Sequence, residues 1–169
     1  MAVEKSAGQE VDIYRDTPVR LLGYANEVGE SFRSLTPVSF VRATYGVASV
    51  YVVADTYDKA AKMNKQPGST RQGVIHAAVD TLVWQALASV VVPGLTINRV
   101  CVLSLYTLAK LASKMPLTAR KWTTTAIGLG TIPFIVHPID NLVHYGMDNT
   151  VRPYFDLKPT TDGPSDQKN

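Results

Sequence analysis

Residues 72–115 read QGVIHAAVDTLVWQALASVVVPGLTINRVCVLSLYTLAKLASKM, and the way this stretch divides decides the fold. Both halves are helical in length and heavily apolar, and Pro93-Gly94 between them is a strong turn signal. The sequence therefore predicts a helical hairpin, with one helix over 72–92 and its return over 96–115. On the return, Ser104, Thr107, Lys110 and Lys114 form a polar stripe.

Working outward, residues 38–54 are apolar apart from Arg42 and small hydroxyls, and Asp55 closes the segment. A polar, basic loop containing Pro67-Gly68 separates it from the hairpin. Beyond the hairpin, Lys121 and Asp140 enclose a stretch free of full charges, broken by Pro133. His137-Pro138-Ile139-Asp140 then reads as a fresh helix start running to about residue 149. Near the N-terminus, Asp16-Thr17-Pro18 is an N-cap with proline in the first turn. Behind it Leu21, Ala25, Val28, Phe32 and Leu35 recur at helical spacing, with Arg20, Glu27, Glu30 and Arg33 on other faces. This predicts an amphipathic helix over 16–35, ending near Thr36-Pro37. Gly23 and Gly29 inside it point to close backbone packing, since each otherwise costs about 1 kcal/mol relative to alanine.

No repeat or linker divides the chain. The reading is a flexible N-terminus over 1–13, one all-α domain over 14–150, and a solvated tail over 151–169 rich in Pro, Gly, Ser and Asp. At 169 residues there is room for one domain of ordinary size. Charged residues are only 18% and mean hydropathy is +0.02, too polar for a wholly lipid-facing chain and too apolar for a disordered one. A single cysteine, Cys101, excludes a disulfide scaffold and reads as a small buried hydrophobe. The net charge of +3 gives no case for nucleic acid as a partner. The N-terminus has no secretory apolar stretch, and Glu4, Glu10, Asp12 and Asp16 make it a poor mitochondrial presequence.

Four segments, 38–54, 72–92, 96–115 and 120–137, approach the roughly 17–25 residues that a membrane-crossing helix needs. Placed as four spans, they put residues 55–71 (net +2) and 110–121 (net +4) on one face. The flanks 1–39 and 140–169, each at net −2, fall on the other. Basic loops gathered on one side follow the positive-inside pattern, and Trp122 beside Arg120 and Lys121 fits an interfacial anchor. The expectation is a multi-pass helical membrane protein of three to four spans.

Asp80 is the costliest residue in these segments, at about 2.5–3.5 kcal/mol near a helix centre. In a hairpin turning at Pro93-Gly94 it lies about 20 Å below the turn. Lys110 on the returning helix lies at similar depth, and His76 one turn away, so either could pair with it. A proton or solute path and a structural ion pair are both open readings. His137, Asp140 and His144 fall at i, i+3 and i+7. A metal there lacks a fourth ligand, and capping of the new helix by Asp140 is the simpler role. No nucleophile elbow, Walker loop or dinucleotide fingerprint occurs, so nothing argues for an enzyme or a cofactor.

Several blocks resemble a known family. Tyr14-Arg15-Asp16-Thr17 and Leu22-Gly23-Tyr24-Ala25-Asn26-Glu27-Val28-Gly29-Glu30 are similar to the opening of the mitochondrial fission process protein 1 family. So are VWQALASV (83–90), PGLTINRVC (93–101), RKWTTTAIGL (120–129) and HPID (137–140). The resemblance implies a multi-pass, non-enzymatic protein of the mitochondrial inner membrane that promotes division and affects membrane integrity and cell survival (apoptosis). On this reading Glu27, Glu30 and Arg33 offer contacts to other inner-membrane proteins. Lys59, Lys62, Lys65, Arg120 and Lys121 meet anionic lipid such as cardiolipin. Self-association is open, and two other roles compete: an accessory subunit of a respiratory or carrier complex, and a pore using Asp80.

Overall fold

The computed structural model describes Tyr14 and residues 18–155, which are helical throughout apart from turns. The flexible N-terminus over 1–13, the cap at Asp16-Thr17 and the tail beyond 155 lie outside the described residues. After a 3₁₀ segment, Pro18–Tyr24, come α1 (Ala25–Ser31) and α2 (Val38–Asn64). Then α3 (Arg71–Gln85), a π-helical turn (Ala86–Val91) and α4 (Val92–Leu111) run on without a break. The chain closes with α5 (Leu117–Asn149) and α6 (Val151–Phe155). The pairs α2/α3 and α4/α5 are antiparallel hairpins, and α1 packs on α2, α4 and α5.

Pro67-Gly68 makes the turn expected of it, with Gly68 at φ 82° and Thr70 capping α3 through the Gly73 amide at 3.1 Å. Pro93-Gly94 does not. The expected hairpin is instead one helix of 41 residues, Arg71–Leu111. The reason is local: the π-helical turn ends just before Pro93, so the proline occupies the first turn of α4, where its missing amide breaks nothing. One widened-turn carbonyl, Val90 O, accepts from Asn26 Nδ2 of α1 at 3.0 Å. His137-Pro138 likewise starts no helix, because α5 runs through both Pro133 and Pro138.

This overturns the placement of the basic loops on one face. Lys59, Lys62 and Lys65 stand at one end of the 41-residue helix and Lys110 at the other, separated by about 60 Å of helix rise. Lys59 and Lys62 belong to α2 rather than to a loop, and Val151–Phe155, read from sequence as tail, is helical.

Burial runs opposite to that of a water-soluble bundle. Among the described residues, ten buried hydrophobic side chains are matched by ten buried polar or charged ones. Outside, twenty-four large hydrophobics are exposed, with Phe134 at 79% and Leu111 at 84%. Helices Arg71–Leu111 and Leu117–Pro153 are each long and apolar enough to cross a membrane. The apolar core that remains is small, with Ile139, Val143 and Met147 of α5 packed on Ala88 of the π-helical turn.

Candidate functional site

The polar interior is organised by α1, and the expected amphipathic helix is turned inside out. Leu21 and Leu22 are exposed, while Asn26, Glu27, Glu30 and Ser31 are buried. Small residues make this seat possible. A side chain at Gly29 would overlap the Thr44 hydroxyl of α2, and one at Gly128 of α5 would press on Ser31 and Cys101. Gly23 packs on the Tyr51 ring, so the close-packing reading of Gly23 and Gly29 holds. Cys101 is a buried free thiol, as read.

Glu30 ties three helices together. Its carboxylate accepts from Arg33 Nε at 2.6 Å, from Tyr45 Oη of α2 at 3.0 Å and from Asn98 Nδ2 of α4 at 2.9 Å. Burial works to raise the Glu30 carboxyl, but the hydrogen bonds from Arg33, Asn98 and Tyr45 outweigh it and hold it below its usual value. Tyr45 and Asn98 were not singled out from sequence. An uncharged donor on a distant helix carries no periodic signal.

Glu27, one turn earlier on the same face, meets a different environment. It is 1% exposed, and its Oε2 has no hydrogen-bond partner. Burial pushes its carboxyl up to about 8, against a smaller lowering by a backbone hydrogen bond. It lines a cavity of about 160 Å³ between the 3₁₀ segment, α2, the long helix and α5. Asp55 on that wall accepts from Gln85 Nε2 at 2.5 Å and pairs with Lys59 at 3.6 Å. His137, Asp140 and His144, at i, i+3 and i+7, all face this cavity. Among the described residues no cluster of three metal-type ligands forms.

Asp80 has a partner, but not the expected one. Lys110 sits at the far end of the same helix with its ammonium 4.7 Å from the Tyr106 ring centre. Asp80 instead takes a two-pronged bond from Arg152 of α6, at 2.8 and 3.1 Å, and Arg152 also holds Asp148 at 2.6 Å. Among the lipid candidates, Lys59 and Lys62 are paired within α2 to Asp55 and Asp58, the latter at 2.8 Å, and Lys65 is exposed. Arg120 folds back on Met115 O at 2.9 Å, and Lys121 lies half-buried near the start of α5.

An all-helical protein with charged groups inside, apolar side chains outside and two helices of membrane-crossing length is the class these features define. Within it the family is specific: the model of the mitochondrial 18 KDa protein (MTP18) family matches residues 14–147, and this chain belongs to that family. Mitochondrial fission process protein 1 of Homo sapiens is 54% identical over 169 residues, covering 98% of this chain and 99% of its own. The Danio rerio protein of the same name is 58% identical over 149 residues, 86% of this chain and 89% of its own. That of Caenorhabditis elegans is 51% identical over 153 residues, 88% and 91% respectively. No solved structure matches the chain.

Proposed function

We propose that this protein acts in mitochondrial fission as a multi-pass protein of the mitochondrial inner membrane. It works without catalysis, through contacts with other inner-membrane proteins and with anionic lipid such as cardiolipin, and so supports inner-membrane integrity. The names of its relatives support the process. The inside-out burial carries the membrane reading: a carboxylate, an arginine or a glutamine is kept from lipid by being turned inward, and leucine and phenylalanine face the acyl chains. With Pro93-Gly94 no longer a turn, the long helices among the described residues are α2, the Arg71–Leu111 helix and α5, and on this reading α2 crosses beside the two apolar ones. An odd number of spans sends the two termini to opposite sides of the membrane.

Depletion should lengthen the mitochondrial network and re-expression should restore it. An unchanged network overturns the fission role. Tags after Met1 and Asn169, probed with protease in mitochondria and in mitoplasts, should be cut on opposite sides, and cutting on the same side overturns three spans. The exposed Lys65 is the better lipid contact than the paired Lys59. Lys65→Gln should weaken binding to cardiolipin-containing nanodiscs by about 1 kcal/mol, roughly fivefold, and Lys59→Gln by less.

A pore using Asp80 draws less support, since Arg152 occupies both carboxylate oxygens. An accessory subunit of a respiratory or carrier complex would comigrate with it on a native gel.

A further inference from the structure

A carboxylate buried as deeply as Glu27 has three ways to exist: beside a cation, within a full set of donors, or with a proton. The first two are missing. No ion pair involves Glu27 among the described residues, and Oε2 accepts no hydrogen bond. Most of the charged and titratable groups around it are committed elsewhere. From the 3₁₀ segment, Arg20 donates to Tyr24 Oη at 3.2 Å and lies in the field of Asp140 of α5. From α2, Lys59 pairs with Asp55, the Tyr51 hydroxyl donates to Tyr14 O at 2.7 Å, and Tyr45, which lies in the field of Glu27, donates its hydroxyl to Glu30. From α5, His144 packs at a 40° tilt against Trp84 with ring centres 5.1 Å apart, and His137 and Asp140 line the same cavity, as does Tyr24 of the 3₁₀ segment. The long helix offers only neutral groups here, Trp84, Gln85 and Ser89.

The cavity supplies what the side chains do not. Its volume of about 160 Å³ has room for several waters, and its polar wall offers each of them the partners it needs. Trp84 Nε1, on the same wall, is a second buried group without a partner, a donor waiting for an acceptor. We propose that this cavity is a hydrated proton-binding site, with Glu27 as the group that takes up and releases the proton and water as its link to the outside. The site goes beyond the fission reading and does not rest on it. Because Glu27 belongs to α1, the occupancy of the site is tied to the seating of the element on which α2, α4 and α5 converge.

The test is infrared difference spectroscopy on the full-length protein in nanodiscs, with pH stepped from about 6 to about 9. The expected result is one carbonyl band of a protonated carboxyl that disappears on the alkaline side and shifts promptly in deuterium oxide. The chain has four glutamates, so labelling glutamate side chains with carbon-13 assigns the band without any substitution. Glu30 is held ionised by Arg33 and its other donors. The band should move with the label and be lost in Glu27→Gln. Absence of a carboxyl band overturns the proposal, as does a band indifferent to the glutamate label or one surviving in Glu27→Gln. A band that resists deuterium shows a dry cavity and overturns the hydrated link.

Discussion

Glu30 and Glu27 stand one turn apart on the same face of α1, both at most 2% exposed, yet the two regions they occupy treat a carboxyl group in opposite ways. Around Glu30, α2, α4 and the turn after α1 each contribute a donor, and the carboxylate is an ionic knot. Around Glu27 only a backbone hydrogen bond opposes burial, and burial prevails. Depth by itself therefore does not decide the charge of a buried acid; the supply of donors does.

The comparison breaks most severely at Glu30. Glu30→Ala strands the Tyr45 hydroxyl and the Asn98 amide and frees Arg33, which should cost about 3 kcal/mol in detergent unfolding and loosen α1 from α2 and α4. Glu30→Gln keeps much of the hydrogen bonding and should cost less. Gly29→Ala attacks the seat under both glutamates. Its methyl must displace Thr44, for about 2 kcal/mol, whereas Gly46→Ala, with open space around it, should change stability by less than about 0.5 kcal/mol. The finest test is pH. Folding raises the Glu27 value from the usual 4.5 to about 8, so the neutral form is the one the fold favours. Stability should fall as pH climbs through that window and level off above it, and Glu27→Gln should remove this part of the slope, an effect on the order of 1 kcal/mol or more. Equal slopes in the two proteins would place Glu27 in the same class as Glu30.

Helix content and the close-packing glycines Gly23 and Gly29 were legible in the sequence, as was the need of Asp80 for a partner; Glu27 and Glu30 were read as outward contacts, and the fold buries both. Three physical facts hid the rest. Amphipathicity names two faces but not which one turns inward, and here Leu21 goes out and Glu30 goes in, the arrangement that the proposed lipid surroundings would favour. The Pro93-Gly94 rule is a rule about ordinary α-helix. A π-helical turn placed just before the proline cancels it, and no short motif announces that turn. The partner of Asp80 lies 72 residues away in a segment whose composition reads as tail, so only the folded chain could supply Arg152.

The hydrogen bond from Asn26 to Val90 O also bears on how the chain comes together. A seven-residue helix whose inner face carries Asn26, Glu27, Glu30 and Ser31 has no lipid-compatible form of its own, and its seat is built by helices synthesised after it. α1 therefore cannot be seated before α2, α4 and α5 have been made, and until it is seated Val90 O lacks the donor that α1 brings.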